Sequence, residues 1–132
     1  MLDKIFCYGT LQSPEILRAV IGREITPHKA LLEEYASFRI VGENYPGLVP
    51  APGHKTDGVV YQGLTRREMM LLDRYEGLFY KREIVEVMNN DGAVSRAWSY
   101  VLKTAYRHCV TGESWSFDEF ESENFSSYPG KI

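Results

Sequence analysis

The 132-residue sequence predicts an α+β fold, a single compact mixed β-barrel with two or three short helices, on three observations. Short apolar runs rich in strand formers dominate the chain. Two helical stretches carry their own start and stop signals, and Asn89-Asn90-Asp91-Gly92 is a strong hairpin turn between two strand-like runs. Strands that outnumber helices without regular alternation argue for a barrel and against βαβ units. One domain spanning residues 1–132 is expected, long enough to bury a real core.

Each element has a local reason. Lys4-Ile5-Phe6-Cys7-Tyr8 reads as a strand that stops at Gly9. Ser13 as N-cap, Pro14 in the first position and Glu15 in the first turn start a helix, which runs to about Ile21 and stops at Gly22. Ile25 to Tyr35 and Ser37 to Val41 read as extended segments joined by a tight bend. Gly42 to Lys55 holds three prolines and three glycines, and so predicts a loop over a pocket. Asp57-Gly58 opens a strand through Gln62. Thr65-Arg66-Arg67-Glu68 is a capping box, with Met69, Leu71, Leu72 and Tyr75 as the apolar positions of its helix and Gly77 as a left-handed stop. Tyr80 to Met88 and Val94 to Leu102 form the hairpin arms, with Glu83, Val85 and Val87 on one face of the first and Trp98, Tyr100 and Leu102 on one face of the second. Ser114 to Phe125, capped by Ser116, predicts a last short helix.

Two motifs carry chemistry. At the junction of first strand and first helix, Tyr8-Gly9-Thr10-Leu11 combines a glycine, which admits a close ligand, with main-chain N–H groups that suit a small anion. Glu76 falls on the last helical turn before Gly77, the negative end of the helix dipole. With Leu72, Leu78, Phe79 and Tyr80 flanking it, the expected effect is a carboxylate that holds a proton more readily, as a general base near neutral pH requires. Taken singly, an ordinary strand-turn-helix connection and a solvated glutamate are the alternatives.

Together with Asn44-Tyr45-Pro46-Gly47-Leu48-Val49-Pro50, Gly58-Val59-Val60-Tyr61 and Leu72-Asp73-Arg74-Tyr75-Glu76-Gly77 followed by Tyr80-Lys81-Arg82, these motifs resemble the gamma-glutamylcyclotransferase-like superfamily, in its AIG2-like and gamma-glutamylamine cyclotransferase branch. The resemblance implies conversion of a gamma-glutamyl amide into 5-oxoproline and a free amine, by attack of the substrate's own α-amino group on its γ-carbonyl, with no cofactor. It implies Glu76 as the catalytic acid and base, Tyr8, Gly9, Thr10 and Leu11 as the substrate-binding loop, and Tyr80 as a wall or hydroxyl donor. Gln12 stands where many relatives carry arginine, so the leaving-amine side is left open. A non-catalytic small-molecule-binding module on the same fold is the alternative.

The formal net charge of −3 and dispersed basic residues argue against nucleic acid or an anionic membrane as partner; the partner that the resemblance implies is a small-molecule gamma-glutamyl substrate. Met1-Leu2-Asp3-Lys4 leads straight into a strand, and no apolar stretch reaches membrane-spanning length, so the expected setting is cytoplasmic. Cys7, on one face of the first strand with Ile5, reads as a buried thiol, and two cysteines make no disulfide framework. His28, His54 and His108 lie apart without metal-ligand spacing, so no metal is expected. Oligomeric state is open.

Overall fold

The computed structural model describes residues 2–124. Its elements in order are β1 (Ile5–Cys7), a single 3₁₀ turn (Thr10–Gln12), α1 (Pro14–Ile21), β2 (His28–Ile40), β3 (Pro46–Tyr61), α2 (Arg66–Glu76), β4 (Tyr80–Asn89), β5 (Val94–Leu102), a 3₁₀ segment (Thr104–Cys109), β6 (Val110–Ser114) and α3 (Phe117–Asn124). The expected end of the last helix at Phe125 lies outside the described residues.

The strands run in the order β3-β1-β5-β4-β2, and pairing of β2 back onto β3 closes a five-stranded barrel. β1 is parallel to β5, while the other ladders are antiparallel, which makes the barrel mixed. β6 adds a sixth strand to the C-terminal half of β2, pairing Phe38 with Ser114 and Ile40 with Val110.

Alternation along the strands builds two apolar layers. Phe6, Leu32, Leu48, Val85, Val87, Ala97 and Val101, drawn from all five barrel strands, fill the barrel interior. On the outer face Ile5, Cys7, Tyr61, Tyr100 and Leu102 pack beneath Leu17 and Ile21 of α1 and Met69 and Leu72 of α2. The short β1 therefore has side chains in both layers.

The local signals are realised where they are self-contained. Ser13 caps α1 by accepting from the Ile16 N–H at 3.2 Å, and Gly22 ends it at φ 90°. Thr65 and Glu68 form both bonds of the capping box at 3.0 and 3.1 Å. Arg23 then locks Glu68 from α1's side, with Nε–H to Oε2 at 2.6 Å and Nη2–H to Oε1 at 2.9 Å. The hairpin registers Tyr80 with Leu102 through Met88 with Val94, around a glycine at φ 86°.

Three expectations are corrected. Gly42 to Lys55 is not a loop: β3 begins at Pro46, and residues 46–50 pair with Arg39 back to Tyr35. The neighbouring β2 supplies the partner that turn-prone residues lack on their own. The predicted break between Tyr35 and Ser37 is absent, and β2 is one strand with a register shift between Glu33 and Tyr35, where Glu34 adopts φ 70°. Gly77 is not left-handed helical but sits at φ 85°, ψ −164°, a region open to glycine alone.

Candidate active site

Where β1 runs out, the chain enters the 3₁₀ turn with Gly9 as its leading residue. That turn closes with the Gln12 N–H donating to the Gly9 carbonyl at 3.1 Å, so the N–H groups of Thr10 and Leu11 precede the first intrahelical bond. Gly9 has φ −113°, so the turn itself does not require glycine. Space there is tight, because a Cβ would stand 3.2 Å from Cγ and 3.3 Å from Cδ of Pro46, which would have to give by a few tenths of an ångström.

α2 brings Glu76 to the same place from the other side. Tyr75 and Thr10 share a hydroxyl–hydroxyl hydrogen bond at 3.0 Å, tying the last turn of α2 to the 3₁₀ turn. Glu76, half-buried, then lines a small cleft together with Tyr8, Gly9, Thr10, Leu11 and Tyr80. All six residues singled out in the sequence thus meet in one cleft.

The cleft's other lining residues are Phe6, Cys7, Tyr45, Pro46 and Tyr100. Sequence reasoning had not singled these out as site residues, although Tyr45-Pro46 belongs to the motif 44–50 and Tyr100 to the apolar face of the second hairpin arm. Tyr80 is buried and donates its hydroxyl to the Pro46 carbonyl at 2.5 Å, so it anchors the 45–46 rim. Tyr8 likewise donates to the Tyr100 carbonyl at 2.5 Å. Gln12 is turned back, its amide donating to the Tyr8 carbonyl at 2.8 Å, and supports the loop from outside the cleft.

The rim has a second support. Trp115 donates its indole N–H to the Asn44 carbonyl at 3.0 Å, and its ring packs on Phe117 and Phe120 of α3.

The electrostatics centre on Glu76. Burial first, and the Glu76 charge second, hold the Cys7 thiol and the Tyr8 phenol well above their ordinary values. Tyr100 is also pushed far up, by burial, then by its hydrogen bond to Asp73, with Glu76 contributing further. The Cys7 thiol and the Tyr8 and Tyr100 phenols are therefore neutral at physiological pH. The expected shielding by Leu78 and Phe79 is not found, since they are 81% and 41% exposed. Leu72 and Tyr80 are buried as expected. Cys109 sits outside the cleft, its sulfur 3.5 Å from His108 Nε2.

Residues 5–117 match the family described as gamma-glutamyl cyclotransferase, AIG2-like. The chain belongs to that family. Among its relatives, AIG2-like protein C of Arabidopsis thaliana is 33% identical over 121 residues, covering 91% of this chain and 70% of the relative. A solution structure from Arabidopsis thaliana superposes with a TM-score of 0.77 at 29% identity, over 92% of this chain and 81% of that one. A solved gamma-glutamyl cyclotransferase has the same fold at TM-score 0.68 and 18% identity, over 78% of this chain and 68% of that one. Among the described residues, no helix of this AIG2-like chain is long and apolar enough to cross a membrane.

Proposed function

We propose that the protein is a gamma-glutamyl cyclotransferase, releasing 5-oxoproline and a free amine from a gamma-glutamyl amide with Glu76 as its acid and base. The observation that carries this reading is the convergence of Glu76 and the Tyr8–Leu11 loop on one cleft that is otherwise lined by neutral groups.

The chemistry needs little more. The substrate's α-carboxylate is held by the main-chain N–H groups at the start of the 3₁₀ turn, where no protein carbonyl claims them within the turn. That contact fixes one end of a folded glutamyl chain, so its α-nitrogen lies against its own γ-carbonyl carbon. Such tethering removes most of the entropic cost of attack. Glu76 takes a proton from the α-ammonium, the freed nitrogen bonds to the γ-carbon, and Glu76 hands its proton to the departing nitrogen as the tetrahedral adduct collapses and the bond to the amine breaks. The second proton of the new ring nitrogen leaves through Glu76 to that amine or to water, giving the neutral lactam and leaving the carboxylate as it began.

The carboxylate also suits the substrate's charge. A ligand bearing an ammonium next to its carboxylate meets Glu76 and the N–H groups at once, whereas a simple anion would be repelled by Glu76. Gln12 places no charge at the cleft, so selection among leaving amines falls to the rim formed by Tyr45 and Pro46.

The test is release of 5-oxoproline from a panel of gamma-glutamyl amides and dipeptides, with wild type and Glu76→Gln in parallel. Release by wild type alone supports the reading. A folded wild type silent across the panel overturns it.

A further inference from the structure

Behind the cleft, the Asp73 carboxylate ties the last turn of α2 to the hairpin. Asp73 stands one helical turn before Glu76, and its main-chain carbonyl accepts the N–H of Gly77 at 3.1 Å. Its side chain accepts from Arg82 Nε at 2.8 Å and Nη2 at 3.2 Å, and from the Tyr100 hydroxyl at 2.7 Å. Arg82 is itself oriented, with its guanidinium carbon 4.4 Å from the centre of the Trp98 ring. These residues, with Gly77 and Tyr80, line a second, open hollow. Tyr80 and Tyr100 line both hollows, so the ion pair sits directly behind the wall of the Glu76 cleft.

The arrangement exceeds what stability asks of it. Asp73 and Arg82 side chains are 42% and 25% exposed, and an ion pair with that access to water adds little to global stability. What three donors on one carboxylate do supply is direction. A forked guanidinium and a phenol from two strands leave the Asp73 side chain one placement and so hold the helix backbone one turn before Glu76.

We propose that Asp73, Arg82 and Tyr100 form a positioning clamp that fixes the last turn of α2 and thereby the approach of Glu76 to the substrate. Trp98 pre-orients the fork, and Gly77 allows the chain to leave the helix sharply enough for β4 to return Arg82 beneath it. The clamp rests on the reading of Glu76 as the proton carrier, but its structural half does not depend on turnover. It explains why the carboxylate is held by arginine and not by a simple point charge, since a lysine cannot satisfy both oxygens in the plane that the fork sets.

Arg82→Lys and Arg82→Gln test it, with two readouts. Amide exchange is followed at Tyr75, Glu76 and Gly77, with Ile5 and Leu17 as internal references. Both variants are expected to lose protection at the three helix-end amides by about 10-fold while the references hold. In the 5-oxoproline assay both are expected to lose kcat by about 10²-fold with KM little changed, the signature of a displaced catalytic group and not of lost binding. Unchanged protection at Gly77, or full activity in Arg82→Lys, overturns the clamp. Loss of protection in a protein whose wild type releases no 5-oxoproline leaves the clamp standing as structure and overturns the proposed function instead. Loss of protection at Ile5 and Leu17 as well shows Arg82 to be a general stabiliser, which also overturns the clamp.

Discussion

The hydroxyls of Thr10 and Tyr75 lie 3.0 Å apart, which joins the loop that offers main-chain donors to the residue preceding Glu76. The bond crosses 65 positions of sequence and links the two elements on which the candidate chemistry rests. Tyr75→Phe keeps the ring and removes the link. We expect a stability loss of about 1 kcal/mol, read by urea denaturation. A larger fractional loss of kcat than of stability is expected in the 5-oxoproline assay, because the two halves of the cleft can then drift apart. Equal kcat in both proteins would separate this bond from the chemistry.

A side chain would be crowded at Gly9 and would collide at Gly58. At Gly9 the obstruction is the ring of Pro46, 3.2 Å from where a Cβ would stand, so Gly9→Ala should fold with its cleft narrowed and its KM raised. At Gly58 the obstruction is the main-chain oxygen of Cys7 at 2.4 Å and the Phe6 ring at 2.7 Å, neither of which can move without displacing β1. Gly58→Ala is expected to cost about 1–3 kcal/mol of stability. Thermal melts should therefore single out the Gly58 variant, and KM the Gly9 variant.

The two cysteines should differ in reactivity. Burial pushes the Cys7 thiol well above its ordinary value of 9.0, so at pH 8 it is almost entirely protonated and also shut off from reagent. Cys109 is partly exposed. Alkylation of the native protein at pH 8, followed by peptide mapping, should label Cys109 alone, with Cys7 labelled only after denaturation. Labelling of Cys7 in the native state would mean that the cleft opens to its floor.

Acid should act through Glu68. The Arg23 guanidinium, by its hydrogen bonds, holds the Glu68 carboxyl below its ordinary value of 4.5. A carboxyl depressed in the folded state adds stability above its unfolded value and loses it as pH falls through the folded one. Melting temperature of the wild type should therefore decline as pH drops below about 4.5, and Glu68→Gln should flatten that decline while lowering the plateau near neutrality. A parallel acid profile in the two proteins would assign the loss to other carboxyls.

What was legible in the sequence was local. Ser13-Pro14-Glu15 and Thr65 with Glu68 carry their own hydrogen-bond partners within three or four residues, so both helix starts could be read without the fold. The same holds for the hairpin turn. β3 was hidden because its first half is defined by a distant partner: Pro46 opens the strand, and Pro50 and Pro52 sit at the register shift, places where a sheet tolerates proline. The loop and Glu76 could be singled out as candidates because each sits at the end of an element with a clear stop signal. Tyr45, Pro46 and Tyr100 were not, since a tyrosine that lines a cleft and one that packs a core look alike along the chain.

The sequence holds two tryptophans, and the structure puts one on each side of the candidate chemistry. Trp115 grips the carbonyl of Asn44 at the rim, whereas Trp98 lies under Arg82 behind the wall. The molecule thus carries a built-in pair of optical reporters. In a Trp98→Phe protein, emission comes from Trp115 alone, and its change on titration with 5-oxoproline gives an affinity without label or turnover. In a Trp115→Phe protein the remaining emission watches the far side of the same wall, so occupancy of the cleft and movement of the helix end can be followed as separate signals.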